Sequence, residues 1–356
     1  MKLIPRYLIT QLSVMTLYAL LALLALYSFF DVMNEIGDVG KGSYTSAKMM
    51  QYVLLLLPSR IYELLPLAVL IGGLLALSQL AARSELTVIK TSGMSTGEII
   101  RILLSFGLIF AALTVFTGEW GAPAASRYAA NMKAGAIEGK ISTGNGGLWV
   151  KEQHDIINIK EMLPDRSLHG ITIFQHDDDF RLTAQWHADS AVVQANGSWQ
   201  LKNVRRSLLE ADRVRVETRA EETLQTNMKP NLLDVLLVDP NQMSLTSLTS
   251  YISHLKANHQ EVQAYRIAWW RKFFYPIAAV VMALVALAFT PQSTRQGNMG
   301  LKLFFGICLG LAFHFAGRLF SFTSQLYGIP PFLAAALPTT LFAILAVWLI
   351  RKHEKR

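Results

Sequence analysis

The chain has only one cysteine among 356 residues, Cys308, so it cannot form an intrachain disulfide in any compartment. Charged residues are also scarce, at 16% of the sequence compared with about a quarter in soluble globular domains. No G-x-x-x-x-G-K-[ST] motif occurs, and the glycine-rich stretch at 37–43 has the wrong spacing for phosphate, so it is interpreted as a flexible loop. The single cysteine excludes a disulfide scaffold, and the missing motif excludes a chain that binds ATP through its own P-loop.

Apolar residues make up 52% of the chain and concentrate in long runs before residue 118 and after residue 273. Each run approaches the length needed to cross a hydrocarbon core of about 30 Å at about 1.5 Å per helical residue. The pattern predicts six membrane helices in a three-plus-three arrangement, at 8–30, 61–81, 99–118, 273–290, 301–322 and 332–350. The segment 52–59, ahead of the second run, is expected to lie at the membrane surface, because a helix over 52–81 would be about 45 Å long, more than the bilayer core needs, and Pro58 and Pro66 interrupt it.

The region between the third and fourth membrane helices has no apolar run of membrane length. From Leu148 onward it consists of seven short alternating segments, which predict β-strands. Asn196-Gly197 is the strongest hairpin signal, and further turns are expected at 145–147 and 177–179. The sequence therefore predicts an inserted all-β domain of the sandwich or jelly-roll-like class, followed by a short helix that Ser244 caps.

Lysine and arginine are unevenly distributed around these helices. Six helices place both termini on one side, and that side carries the basic C-terminal tail and most of the short-loop cations: Lys2, Arg6, Arg83, Lys90, Arg101, Arg295 and Lys302. The opposite short loops carry Lys41 and Lys48, while Arg266, Arg271 and Lys272 favour the reverse orientation. The positive-inside rule predicts cytoplasmic termini and an external β domain. The net charge of +8 then favours contact with anionic lipid over binding of nucleic acid.

A polar stretch at 83–98 joins the second and third membrane helices. Its pattern predicts a brief helix with Leu86, Ile89 and Met94 on one face and with Gly93 at its end, while Glu85 stays on the polar side. Such a helix at the base of a membrane bundle is a docking surface; the alternative is an ordinary interfacial loop.

Few residues in the sequence suggest a catalytic, metal-binding or ligand-binding site. Three histidines and the aspartates at 177–179 lack regular metal-ligand spacing, so a solvated turn is the favoured interpretation. In the fifth membrane helix Gly306 and Gly310 form a G-x-x-x-G face that permits close helix packing. His314 and Arg318 place ionisable groups in the same helix, where they should face protein, water or a charged ligand. For Arg318, snorkelling to the nearby outer surface is an equal alternative.

Five motifs in order carry a resemblance to a known family: ARSELTVIKTSGMS at 82–95, TGEWGAP at 117–123, GLWVKE at 147–152, VDPNQMS at 238–244 and YGIPPFLAAALP at 327–338. Together with the helix plan they make the chain resemble the LptF/LptG family of lipopolysaccharide-export permeases, and within it the LptG branch. The resemblance implies three domains: helices 1–3 at 1–119 with a coupling helix at 83–95, a periplasmic β-jellyroll at 120–264, and helices 4–6 with the basic tail at 265–356.

The same resemblance implies a function and partners. The chain would be the permease subunit, not an enzyme, of an ATP-driven exporter that extracts lipopolysaccharide from the periplasmic leaflet of the bacterial inner membrane. It would pair with an LptF-like subunit and with two copies of the ATPase LptB, which binds ATP and Mg. LptC and a bridge of periplasmic jellyrolls would receive the lipid. The alternatives from other classes are a membrane-anchored envelope scaffold or sensor and a membrane-embedded enzyme.

Residue roles also follow from the resemblance. Arg83, Glu85, Leu86 and Ile89 would form the coupling surface, with Glu85 at the acidic position that meets the ATPase. Lipid would enter between the first helix of one subunit and the fifth of the other, near basic residues, and Lys133 matches one such position. From their places in the chain we expect Arg318 and Arg271 to attract the lipid as well.

The end of the first helix departs from the family, because Asp31 and Asp38 stand where relatives often have lysines. We therefore expect Asp31 to act as a gate latch that faces the partner subunit and is paired across the subunit boundary when no lipid is bound.

Overall fold

A computed structural model of the chain describes residues 3–137, 148–152, 155–162, 167–194, 198–209, 213–226, 239–258, 260–290 and 299–354. Within these residues six helical segments are long and apolar enough to cross a membrane. Their helices are α1 (Leu3–Glu35), α2 (Ser46–Ala82), α4 (Thr96–Phe116) continued by α5 (Ala122–Ile137), α7 (Gln263–Ala288), α8 (Met299–Tyr327) and α9 (Pro331–Glu354). The short helix α3 (Glu85–Thr91) lies between α2 and α4, and α6 (Leu245–Ala257) precedes α7.

Helix α2 is longer than the sequence pattern suggested. The segment 52–59, predicted to lie apart at the membrane surface, is part of one continuous helix that includes both Pro58 and Pro66. That prediction is wrong because proline interrupts helices less strictly in membranes, where neighbouring helices re-satisfy the backbone groups that proline frees. Helices α7 and α9 likewise continue through Pro276 and Pro338.

The chain divides into two compact units, 1–31 with 57–123 and 263–356, and 32–56 with 124–262. The core of the first unit is built from leucines of α2, phenylalanines of α4 and a run of small residues on α7, including Ala278, Ala279 and Ala283. Small side chains let helix backbones approach closely, which is the usual basis of helix packing in membranes. Among the described glycines of this unit, Gly72 comes closest to the backbone of another helix, since an added Cβ would overlap the backbone of Thr16 on α1.

The second unit contains an antiparallel sheet whose six described strands follow one another in sequential order. They are β1 (Leu148–Glu152), β2 (Asp155–Met162), β3 (Ser167–His176), β4 (Leu182–Val193), β5 (Trp199–Leu209) and β6 (Val214–Leu224). The predicted inserted β domain is confirmed. Two predicted segments merge into the single strand β4, because Asp189 between them lies on the exposed face and accepts a 3.1 Å hydrogen bond from Asn203.

Two predicted local features of this unit are confirmed. Residues 195–197 lie outside the described residues, but Val193 pairs with Trp199 and the Gln194 N–H donates to the Ser198 carbonyl, so β4 and β5 form the expected hairpin. The Ser244 side chain accepts from the Ser247 N–H and caps α6 as predicted. The turn at 145–147 and the loop at 291–298 lie outside the described residues.

Candidate functional site

Helix α3 is attached to the first unit by its apolar face. Leu86 and Ile89 are buried in the main core, and the partly buried Met94 packs against the same core. Gly93 has φ +97°, a conformation that favours glycine and ends the helix as predicted. Ser95 and Glu98 then form a reciprocal capping box at the start of α4.

The other face of α3 carries the groups that a partner could reach. Val88 is exposed, and Arg83 lies at the edge of ion-pair range from Glu85, with 4.0 Å between Nη1 and Oε1. The Tyr7 hydroxyl of α1 donates a 2.7 Å hydrogen bond to Glu85 Oε2. Sequence reasoning missed Tyr7 because no local spacing connects residues so far apart; Val88 could have been found as the apolar residue outside the Leu86–Ile89 face.

A charged cluster lies within the membrane-spanning helices of the first unit. The Arg60 guanidinium of α2 donates to both Asp31 carboxylate oxygens, at 2.6 and 2.9 Å, and Asp31 is buried. Arg60 also donates to Glu63 at 3.1 Å, a pairing that their i,i+3 spacing on one helix face favours. Asp31 therefore has a counterion inside its own chain, while its pairing across a subunit boundary stays a prediction. The sequence spacing indicates only Glu63 as a partner of Arg60, because Asp31 on α1 is distant along the chain.

Helix α8 brings two further basic groups to the same carboxylate. His314 Nε2 lies 3.2 Å from Glu63 Oε1, and Arg318 Nη2 lies 3.5 Å from it. About 70% of the Arg318 side-chain surface is exposed. Because α8 continues to Tyr327, Arg318 lies about 14 Å before the helix end, not one turn from it as the shorter predicted helix implied.

A second charged cluster lies within the other unit. Lys133 Nζ contacts Glu35 Oε2 at 2.7 Å and Asp38 Oδ2 at 2.9 Å, and 24% of its side-chain surface is exposed. The Tyr44 hydroxyl donates to Glu35 Oε2 at 3.0 Å. Burial, followed by the nearby Glu35 carboxylate, raises the pKa of the Tyr44 phenol and keeps it a donor. Lys133 is thus held by two carboxylates of its own chain.

The remaining predicted residues have simpler surroundings. The Arg271 guanidinium lies 5.8 Å from the centre of the Tyr275 ring. Gly306 and Gly310 of α8 face α2, where an added Cβ would overlap the flexible tips of Leu74 and Leu67. Leucine tips of α2 thus fit into the notches that the two glycines leave on α8.

The chain matches known proteins over most of its length. The family described as "Lipopolysaccharide export system permease LptF/LptG" matches residues 6–352. The chain belongs to the LptF/LptG family. Its relatives include the "Lipopolysaccharide export system permease protein LptG" of Haemophilus influenzae, 31% identical over 318 residues and 89% of each chain. The protein of the same name from Escherichia coli K12 is 31% identical over 324 residues and 90% of each chain.

Membership of the LptF/LptG family confirms the family predicted from the sequence and the general function that followed from it. The chain is a multi-pass membrane protein and a permease subunit of lipopolysaccharide export. The scaffold, sensor and enzyme alternatives lose their support, because this family is one of transport subunits.

Proposed function

We propose that the chain is the permease subunit that extracts lipopolysaccharide from the periplasmic leaflet of the inner membrane and passes it to a periplasmic bridge. The observation that carries this proposal is the exposed Arg318 guanidinium on a membrane-spanning helix, beside a carboxylate that already has two other basic neighbours. An exposed cation at membrane depth is suited to the phosphates of a lipid headgroup.

The partners are an LptF-like permease subunit, two LptB ATPases that bind ATP and Mg, and LptC, which leads into the jellyroll bridge. Both termini would lie in the cytoplasm and the β domain in the periplasm. The charge asymmetry of the short loops supports this orientation. The buried Lys272 weakens the contrary signal, because its charge lies beside Glu119 within the chain and not at a lipid surface.

Helix α3 would couple ATP hydrolysis to movement of α1. Its buried leucine and isoleucine fix it to the core, so force applied to its exposed face is transmitted to the bundle. The Tyr7–Glu85 hydrogen bond gives this force a direct path into α1, the helix that borders the proposed lipid entrance. Arg83 and Glu85 would then face the ATPase with charges of opposite sign.

Arg318 and Lys133 would play different parts in lipid capture. Lys133 is mostly covered and lies between two carboxylates, so a phosphate has to displace both of them to reach it. Arg318 is mostly exposed and has the longest contact with Glu63; if it leaves, Arg60 and His314 remain beside that carboxylate. A lipid phosphate can therefore take Arg318 while Glu63 keeps its 3.1 Å hydrogen bond from Arg60. A carboxylate left with no partner would be the expensive outcome of breaking an ion pair.

The test is lipopolysaccharide photocrosslinking and lipid-stimulated ATPase activity of the reconstituted complex. Arg318→Gln should weaken both severalfold, whereas Lys133→Gln should have a smaller effect on capture. Asp31→Asn should leave capture intact, since Asp31 faces Arg60. Arg101→Gln, which removes an exposed cation at the start of α4, is the matched control. Capture that is unchanged in Arg318→Gln but lost in Lys133→Gln would contradict the proposal.

A further inference from the structure

The long helical segment formed by α4 and α5 is interrupted by a π-helical turn at Thr117–Gly121. The turn falls in the TGEWGAP motif, which the transport function leaves unexplained. A π-bulge adds one residue to an otherwise α-helical turn and changes which N–H each carbonyl meets.

The carbonyl of Gly118 loses both of its normal helical donors. In α geometry it would accept from Ala122, but the Ala122 N–H donates to Thr117. In π geometry it would accept from the residue five positions later, which is Pro123 and has no N–H. Gly118 is buried, so an unsatisfied carbonyl at this position is costly.

Lys272 of α7 supplies the missing donor. Its ammonium donates a 2.7 Å hydrogen bond to the Gly118 carbonyl, and only 6% of its side-chain surface is exposed. The charge is balanced by Glu119, with 3.8 Å between Nζ and Oε1, and Nζ lies 4.9 Å from the centre of the Tyr62 ring. The ring also explains the glycine, because a Cβ at 118 would lie 2.5 Å from Tyr62 Cε2.

We propose that Lys272 is a positioning residue that holds the π-turn in place and so sets the helical phase of α5. Without its ammonium, the Gly118 carbonyl would recover a partner by returning to α geometry and bonding to the Ala122 N–H. The one-residue change would turn the residues that follow by about 100° around the helix axis. This role goes beyond lipid transport and does not depend on it.

The rotation of α5 about its axis can be measured from the exposure of two neighbouring residues. Tyr128 is 58% exposed and Ala129 is 1% exposed. In a Cys308→Ala background, which removes the only native thiol, a cysteine at position 128 should react readily with a soluble thiol reagent and one at 129 should be protected. A change of about 100° should remove most of this difference.

The experiment measures both reaction rates in the full-length protein within its native complex. In Lys272→Met the ratio of the two rates should fall severalfold, whereas in Lys272→Arg, which keeps a cationic donor, much of the ratio should remain. The matched control is Arg266→Met, which removes an exposed cation from the same helix and should leave the ratio unchanged.

If Lys272→Met is not recovered from membranes, Lys272→Arg still tests the proposal, because it keeps a cationic donor for the Gly118 carbonyl. A parental ratio in Lys272→Met would overturn the proposal, and so would a ratio in Lys272→Arg that falls as far as the one expected for Lys272→Met.

Discussion

Arg60 and Asp31 should respond very differently to substitution, although they form one ion pair. Arg60→Met leaves the buried Asp31 carboxylate without the two hydrogen bonds that it receives. Breaking a buried pair from one side costs about 3–5 kcal/mol, and the lower end applies because a quarter of the Arg60 side chain is exposed. Asp31→Asn leaves Arg60 beside Glu63 and keeps a polar acceptor, so about 1 kcal/mol is expected.

Thermal unfolding of the purified complex compares these variants. At about 2 °C per kcal/mol, Arg60→Met should lower the midpoint by about 6 °C and Asp31→Asn by about 2 °C. Arg60→Met combined with Asp31→Leu should be more stable than Arg60→Met alone, because no buried charge is left unpaired. Arg101→Met serves as the exposed control. The reasoning is refuted if Asp31→Asn is as destabilising as Arg60→Met, or if adding Asp31→Leu lowers the midpoint further.

Three other predictions concern separate parts of the chain. Glu85→Ala should release or uncouple the ATPase, whereas Tyr7→Phe should leave the ATPase bound and lower lipid-stimulated hydrolysis severalfold. Co-purification and hydrolysis rates distinguish the two variants. Equal hydrolysis in Tyr7→Phe and the parent would remove Tyr7 from the coupling path. Burial lowers the pKa of His254 below 6.5 in the folded state, so the unfolded state takes up its proton first as the pH falls, and stability is lost below about pH 6.5. His254→Gln should reduce that loss, so the difference in melting midpoint between pH 8 and pH 5.5 should be smaller in the variant than in the parent. An unchanged difference would show that His254 does not contribute. Gly72→Ala should lower the yield of folded protein more than Gly306→Ala, because the first must displace backbone and the second only a leucine tip; equal yields would contradict this.

The general architecture follows from the sequence because its signals are local. Apolar runs, alternating strand segments and turn residues such as Asn196-Gly197 each act within a few positions, and together they identify the membrane helices and the β domain. Helix ends were less predictable. The continuous helix through Pro58 and Pro66 depends on neighbouring helices, which a single segment does not reveal.

The candidate site was predictable in its residue types more than in its pairings. Arg318 and Lys133 stand out as cations near apolar segments, but their difference in availability depends on Glu63, Glu35 and Asp38, which the fold brings to them. The Asp31 contact with Arg60 was not predicted for the same reason. Charge complementarity indicates that a buried ion needs a counterion, whereas only tertiary structure identifies which one.

The cluster of Asp31, Arg60, Glu63 and Arg318 contains two carboxylates and two guanidinium groups, so the formal charge of these four side chains is zero. The membrane potential does work of about 2.3 kcal/mol per 100 mV on each elementary charge that crosses the full bilayer. When these four side chains move together as a group, the field does almost no net work on them. The voltage across the membrane therefore neither favours nor opposes a joint displacement of the parts of α1, α2 and α8 that carry this cluster.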